Sequence, residues 1–146
     1  MVAEAVRRRI LIAEDDPMVM ELITTRLELA GYRTFSARNG QEALSRIRDI
    51  KPDALVLDIN MPVLDGFQVL ARLKSSGELA RTPTMVLTAR NCPDDVRQAI
   101  QLGARDFIAK PFRDDQLIAR VGRLVRKAGT APPPVAADRN QLTTEI

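Results

Sequence analysis

Short apolar runs alternate along the chain with longer segments whose apolar residues recur at helical spacing. The runs predict five strands, at residues 10–13, 32–37, 54–57, 85–87 and 107–109. The longer segments predict five helices, at residues 18–30, 41–50, 66–75, 94–102 and 114–127. Strict alternation of strands and helices favours an α/β fold, a doubly wound parallel sheet that helices cover on both faces.

Turn residues sharpen several of these boundaries. Asp16 followed by Pro17 is typical of an N-cap and the first position of a helix. Gly31 and Gly103 stand where helix ends favour a left-handed residue. The second strand is more polar than the others, which indicates a place near the edge of the sheet.

The ends of the chain differ from its middle. We expect a disordered basic N-terminus at residues 1–8, one domain at 9–128, and a flexible Pro/Ala-rich tail or linker at 129–146. The chain has no apolar run near the ~18 residues that a membrane span needs. We therefore expect no membrane association and a cytoplasmic location.

Composition excludes several kinds of chemistry. The 146 residues include no histidine and one cysteine, Cys92, so the sequence excludes Ser-His-Asp catalysis, histidine-based zinc sites and an internal disulfide. A bound metal would be a hard cation with oxygen ligands. The net charge of +3 comes largely from basic residues near the two ends. We expect a nucleic-acid partner only if the protein has a further, output domain.

Polar residues follow four of the predicted strands. Glu14 and Asp15 come after the first strand, Asp58 after the third, Thr88 after the fourth and Lys110 after the fifth. The carboxyl ends of parallel strands meet at one edge of a sheet, so these side chains are expected to converge. Taken singly, each has an ordinary role as a cap, a turn residue or a surface charge. Together they predict a magnesium site beside an aspartate that can accept a phosphoryl group.

Four segments give the chain a family resemblance: ILIAEDDP, LVLDINMPVLDGF, VLTA and GARDFIAKPF. In this order and on these strands, they resemble the signature segments of response regulator receiver domains from two-component systems. The resemblance covers residues 9 to about 127. It implies the flavodoxin-like receiver fold with strand order 2-1-3-4-5. It also implies a signalling domain, not an enzyme, that takes a phosphoryl group from a histidine kinase or a histidine phosphotransfer protein.

The resemblance assigns the metal and phosphoryl roles. Asp58 matches the phosphoacceptor, Asp15 the direct ligand of Mg²⁺ (or Mn²⁺), and Glu14 the acid that acts through metal-bound water. The backbone carbonyl of Asn60 matches a further metal ligand. Lys110 matches the lysine that binds the phosphoryl group.

The remaining roles concern switching and phosphate lifetime. Thr88 matches the switch hydroxyl, the small Ala89 leaves room for the phosphoryl group, and Phe107 matches an aromatic ring that rotates on activation. The bond before Pro111 is cis in the family. Asn60 and Arg90 lie two residues after Asp58 and Thr88, where their side chains are expected to tune dephosphorylation.

Two alternatives stay open at this stage. An aspartate-nucleophile phosphatase of the haloacid dehalogenase type would need a second Asp where this chain has Asn60. The second alternative is the receiver part of a DNA-binding transcriptional regulator whose output domain is absent here. Asp106 and Arg120 match positions that winged-helix regulators use to pair as homodimers through helix 4, strand 5 and helix 5. Arg105 weakens that match, because many such regulators have Asp there.

Overall fold

The computed structural model of the chain describes residues 7–89 and 92–129, with side chains up to residue 126. Most of the expected N-terminal extension, the tail from residue 130 onward, and Arg90 lie outside the described residues. No helix among the described residues is long and apolar enough to cross a membrane.

Within the described residues, five strands alternate with five helices, as the hydrophobic pattern predicts. The strands are β1 (Arg9–Ala13), β2 (Arg33–Ala37), β3 (Ala54–Asp58), β4 (Thr84–Ala89) and β5 (Asp106–Lys110). The helices are α1 (Pro17–Leu29), α2 (Gly40–Ile50), α3 (Gly66–Ser76), α4 (Pro93–Gln101) and α5 (Asp114–Gly129). A short 3-10 helix at Glu78–Arg81, which the pattern does not predict, connects α3 to β4.

All strand pairs in the sheet are parallel, and the order is β2-β1-β3-β4-β5. This order confirms the one implied by the receiver resemblance, and it confirms β2 as an edge strand. The chain reverses its winding direction between β1 and β3. In such sheets ligands bind at the carboxyl ends of the strands beside that reversal.

Strand residues alternate between two apolar layers. Ile10 and Ile12 pack with α1 and α5 on one face, whereas Leu11 packs with α2 and α3 on the other. Alternate side chains of a strand point to opposite faces, so a strand buried on both faces is apolar at nearly every position. This explains why β1 and β3 read as continuous apolar runs in the sequence.

Local chemistry fixes where the helices begin and end. The Asp16 carboxylate accepts a hydrogen bond from Met18 N at 2.9 Å, which confirms the predicted N-cap of α1. Asp65 and Gln68 form a reciprocal capping box at the start of α3. Gly31 and Gly103 follow their helices with φ of 101° and 111°, in the left-handed region that favours glycine.

Candidate metal and phosphoacceptor site

The chemistry-bearing residues lie at the carboxyl ends of four strands that are neighbours in the sheet. Glu14 follows β1 directly, Asp58 is the last residue of β3, and Lys110 is the last residue of β5. Thr88 lies near the end of β4, next to Ala89, whose register partner is Lys110. The sheet order thus brings together residues that are far apart in the sequence.

Three carboxylates and one ammonium group form the centre of this site. Carboxylate oxygens of Glu14, Asp15 and Asp58 all lie within 4.8 Å of one another. Lys110 Nζ lies 3.0 Å from Glu14 Oε1 and 3.3 Å from Asp58 Oδ1. The ammonium group therefore bridges the two acids that follow β1 and β3. It contacts Glu14 as closely as Asp58, which the sequence did not indicate.

The bridged acids are shielded from solvent. Glu14 is 1% exposed and Asp58 is 4% exposed, whereas Asp15 is exposed. Burial raises the pKa of the Glu14 carboxyl, and the charge of Asp58 raises it further. A hydrogen bond from Asp16 N and the charge of Lys110 lower this pKa, but they do not cancel the rise. The buried Glu14 Oε1 lies 3.0 Å from Lys110 Nζ, within ion-pair distance.

Burial alone would lower the pKa of the Lys110 ammonium group. Its contacts with Glu14 and Asp58 outweigh burial and leave that pKa raised. The site nevertheless contains one lysine and three acids, so it keeps an excess of negative charge. An oxygen-lined cluster with excess negative charge fits a hard divalent cation such as Mg²⁺.

The loop after Asp58 is held in a tight conformation. Gly66 N donates a hydrogen bond to Ile59 O at 2.7 Å, which closes the loop. A Cβ at Gly66 would lie 2.7 Å from the Asp58 carbonyl oxygen, so only glycine fits. Leu64 N bonds to Pro62 O at 2.8 Å around Val63, whose φ is 71°. This is the rare and strained form of the γ-turn.

A cavity of about 420 Å³ lies over Asp58, Asn60, Ala89 and Lys110. Its remaining lining is apolar and consists of Val19, Leu22, Pro111 and Phe112. The sequence did not indicate this apolar rim. A signal was present, because the apolar residues near the start of α1 cover more than one face of the helix. The Lys110–Pro111 peptide bond, on the rim, is cis.

A second buried ion-pair cluster lies at the other end of β5. Asp106 Oδ1 is 2.7 Å from Arg120 Nη1, and Asp106 Oδ2 is 3.5 Å from Arg123 Nη2. Asp106 and Arg120 are 8% and 7% exposed. The guanidinium carbon of Arg120 also lies 5.9 Å from the centre of the half-buried Phe107 ring. The two residues that match dimer-pairing positions thus contact each other within the chain.

The chain belongs to the response regulator receiver domain family, whose model matches residues 10–122. The family membership decides against the phosphatase alternative. It also identifies the chain as a signalling domain.

Curated relatives include the transcriptional regulatory protein PrrA of Mycobacterium leprae (strain TN). It is 40% identical to this chain over 121 residues, which cover 83% of this chain and 51% of PrrA. Response regulator MprA of Mycolicibacterium vanbaalenii is 38% identical over 135 residues, or 92% of this chain and 57% of MprA. The chain thus spans about half the length of these relatives.

Solved receiver structures superpose on nearly the whole described fold. The receiver domain of Francisella response regulator 1452 matches with a TM-score of 0.78 and 33% identity, covering 83% of this chain and 98% of that chain.

Proposed function

We propose that Asp58 accepts a phosphoryl group from a phosphohistidine of a histidine kinase or a histidine phosphotransfer protein. The observation that carries this proposal is the position of Lys110 Nζ, 3.3 Å from the buried Asp58 carboxylate and 3.0 Å from Glu14. A carboxylate can act as a nucleophile towards phosphorus, and a fixed ammonium group balances the charge that a phosphoryl group brings. The domain catalyses only its own phosphorylation and dephosphorylation.

Phosphoryl transfer to Asp58 would involve few side chains of the domain. An Asp58 carboxylate oxygen attacks phosphorus, and the new P–O bond forms as the P–N bond to the donor imidazole breaks. Lys110 pairs with one phosphoryl oxygen, and the Thr88 hydroxyl donates a hydrogen bond to another. Ala89 adds only a methyl group, which leaves space beside Asp58.

The fit of the acidic cluster to a hard cation supports a magnesium requirement. Glu14, Asp15, Asp58 and the backbone carbonyl of Asn60 are the groups that would hold Mg²⁺ or Mn²⁺. When bound, the cation neutralises charge on the phosphoryl oxygens. Glu14 Oε2 is already bonded to Asp16 N at 3.1 Å. This supports the division in which Asp15 is the direct ligand and Glu14 acts through water.

The donor must cover the cavity for its phosphohistidine to reach Asp58. The apolar rim suits this contact, because Met18 on the neighbouring turn of α1 is 79% exposed and Leu22 is 38% exposed. Apolar side chains grouped beside a reactive site are typical of protein docking surfaces. We therefore expect the donor to contact the start of α1 and the loop at Pro111 and Phe112.

Intact-mass measurement after incubation with a phosphohistidine donor tests the proposal. The native chain should gain one phosphoryl group with Mg²⁺ and none with a chelator. The Asp58→Asn variant should gain none under either condition. Asp49→Asn makes the same chemical change on the exposed face of α2, and it should behave as the native chain does. Normal phosphorylation of Asp58→Asn would refute the assignment.

The switch that follows phosphorylation is the second part of the proposal. The phosphoryl group draws the Thr88 hydroxyl inward, and Phe107 moves into the space that Thr88 leaves. Its ring packs beside Arg120 on α5, so its position alters the surface of α4, β5 and α5. That surface would contact a partner protein or a second copy of the chain. A phosphoryl group shifts this equilibrium only through its different contacts in the two states.

Amide chemical shifts with and without beryllofluoride and Mg²⁺ test the switch. Changes should spread from Asp58 and Thr88 to Phe107 and on to residues 94–125. Changes confined to the metal-site residues would show that the switch is wrong even if phosphorylation is right.

The effect of Asn60 and Arg90 on the lifetime of the phosphorylated state remains a prediction. Asn60 is exposed beside the cavity, where its amide can flank an attacking water. Arg90 lies outside the described residues. We expect Arg90→Ala to lose phosphate faster than the native chain, because the bulky cation occupies the water path or holds a phosphate oxygen. An unchanged half-life would indicate that Arg90 is a solvated loop residue with no role in dephosphorylation.

A second candidate function is suggested by the match to about half of PrrA. Residues 9–128 would then be the receiver unit of a cytoplasmic transcriptional regulator, and residues 129–146 would lead to a DNA-binding domain. Sequencing the gene beyond codon 146 tests this directly. An open reading frame that continues into a DNA-binding domain supports the candidate, and a stop codon there removes it.

A further inference from the structure

A larger cavity lies at the opposite end of the sheet from Asp58. It has a volume of about 640 Å³. Arg8, just before β1, and Pro52 and Asp53, just before β3, line it. Asp58 ends β3, so the whole length of that strand separates this cavity from the phosphoacceptor. The mechanism proposed above makes no use of it.

Charged side chains surround the cavity, and cations are in excess. The charged lining residues are Arg8, Arg48, Lys51, Arg81, Asp53 and Glu78. Four positive groups thus face two carboxylates around one space.

Asp53 neutralises the positive charge of its neighbour Arg8 only weakly. Its Oδ2 accepts a hydrogen bond from Arg9 N at 2.8 Å, whereas Arg8 Nη1 lies 3.9 Å from Oδ1. The main contact of this carboxylate is therefore with the backbone at the start of β1. The Arg8 guanidinium group is left able to bind another anion.

The second carboxylate is engaged in the same way. Glu78 Oε1 accepts a hydrogen bond from Ser76 Oγ at 2.7 Å, whereas Arg48 Nε is 3.6 Å away and its side chain is 61% exposed. Both ion pairs at the cavity are long, so an incoming anion with better geometry can replace them.

The two remaining cations have no carboxylate partner among residues 7–89 and 92–126. Lys51 has a φ of 52°, in the left-handed region where glycine or asparagine is preferred. Arg9 Nη2 donates to the Lys51 carbonyl oxygen at 3.0 Å, which fixes this backbone and occupies a carbonyl at the end of α2. A lysine is thus held in a costly conformation at the cavity, and Arg81 adds a second exposed cation.

The size and the lining of the cavity restrict the kind of ligand that it can bind. Small-molecule sites measure roughly 300–1,000 Å³. Ile47 and Pro52 are buried at the wall and offer a limited apolar surface. Several guanidinium and ammonium groups around one space suit an anion with many oxygens, because arginine binds phosphate in a bidentate way and lysine binds it as a point charge.

We propose that this cavity binds a small anion with a di- or triphosphate group, either free or as part of a nucleotide, independently of Asp58. The ligand spans the cations contributed by α2, the α2–β3 loop and the 3-10 helix. The proposal does not depend on phosphorylation, so failure of either leaves the other standing.

Isothermal titration of the full chain with inorganic pyrophosphate, without divalent metal, tests the proposal. Saturable binding to one site is expected, and the double variant Lys51→Ala/Arg81→Ala should raise Kd at least tenfold. Titrations with ADP and with adenosine separate the sources. Tighter binding of ADP than of pyrophosphate indicates a nucleotide, equal binding indicates a free phosphate anion, and binding of adenosine alone overturns the proposal.

Controls separate this cavity from general charge effects and from the phosphoacceptor site. Arg72→Ala removes an exposed cation from α3, outside the cavity lining, and should leave Kd within twofold. Amide shifts on titration should centre on Lys51, Asp53 and Thr82. The proposal is wrong if the native chain shows no saturable binding or if Arg72→Ala weakens binding as much as the double variant. It is also wrong if Lys110→Ala, and not the double variant, abolishes binding.

Discussion

The two ends of β5 carry buried ion-pair clusters with opposite balances of charge. At the carboxyl end, Lys110 pairs with Glu14 and Asp58, and the carboxylate of Asp15 lies beside these two acids. At the amino end, Asp106 is the one carboxylate of the described residues that pairs with Arg120 and Arg123 of α5, and it also accepts a hydrogen bond from Phe107 N at 2.8 Å. One cluster has excess negative charge and the other does not.

This difference distinguishes a cluster that could hold a divalent cation from one whose acid is paired with cations of its own chain. Carboxylates gathered without enough cations repel one another, so we expect the first cluster to lower stability until a cation completes it. The second cluster is complete within the chain, and a buried pair of this kind is costly to break. Both flank the strand that carries Phe107, the ring proposed to move.

Removing the acid of the complete cluster should give the largest loss of stability. Asp106→Ala removes the buried carboxylate that lies 2.7 Å from Arg120, and we expect the free energy of unfolding to fall by about 3–5 kcal/mol. Urea denaturation followed by far-ultraviolet circular dichroism measures this change.

Asp94→Ala is the matched control for Asp106→Ala. Asp94 pairs with Arg97 on the surface of α4, where its side chain is 90% exposed. Surface pairs contribute little, so a loss below about 1 kcal/mol is expected. Equal losses in the two variants would mean that the Asp106 cluster is no more important than a surface pair.

Magnesium affinity should distinguish the acids of the incomplete cluster. Asp15→Ala should raise the Kd for Mg²⁺ about tenfold more than Glu14→Ala, on the order of 1.4 kcal/mol, because a direct ligand contributes more than an outer one. Calorimetric titration with MgCl₂ gives both constants. Superimposable titration curves would contradict the division of roles.

Without metal, Glu14→Gln should raise stability by an amount on the order of 1 kcal/mol at neutral pH, because it removes repulsion with Asp58. The pKa of Glu14 is raised by burial above its ordinary value of 4.5, so the folded state favours the protonated acid. Ionisation therefore costs stability as pH rises above 4.5 through the folded-state pKa.

Thermal unfolding in chelator at several pH values tests this sign. The difference between Glu14→Gln and the native chain should shrink as pH falls towards 4.5. A variant that is less stable than the native chain at neutral pH would show that the Lys110 contact outweighs the repulsion.

Val63 lies outside both clusters and should give the smallest effect. Its φ of 71° is strained for a β-branched residue, and its side chain is 72% exposed, so little packing is lost on substitution. Val63→Gly should raise the free energy of unfolding by about 0.5–1 kcal/mol. Val63→Ala keeps the strained backbone and serves as the control. If both variants change stability equally, the strain is not the cause.

The sequence predicted the fold well because its signals are local. The continuous apolar runs of β1 and β3 and the Asp16 cap required no knowledge of distant residues. Boundaries moved by one or two residues, since helix and strand ends depend on hydrogen bonds that a periodicity does not show. The sheet order came from the family resemblance and not from the pattern.

The site was predicted in part. Acids and a lysine at the carboxyl ends of neighbouring parallel strands lie close together. The sequence pattern of strands followed by polar residues therefore predicted that these side chains converge. Side-chain directions determine the bridging position of Lys110 and the apolar rim. The Arg120–Asp106 pair depends on the packing of α5 against β5. A charged residue such as Arg120 on a helix reads as a surface residue until the fold shows its buried partner.

Borohydride trapping tests the central claim most directly. An aspartyl phosphate is an acyl phosphate, and borohydride reduces it to homoserine, which marks the modified residue in peptide sequencing. After phosphorylation with Mg²⁺, homoserine should appear at position 58 and at no other aspartate. Homoserine at another aspartate, or none in a chain that has gained phosphoryl mass, would contradict the assignment of Asp58 as the phosphoacceptor.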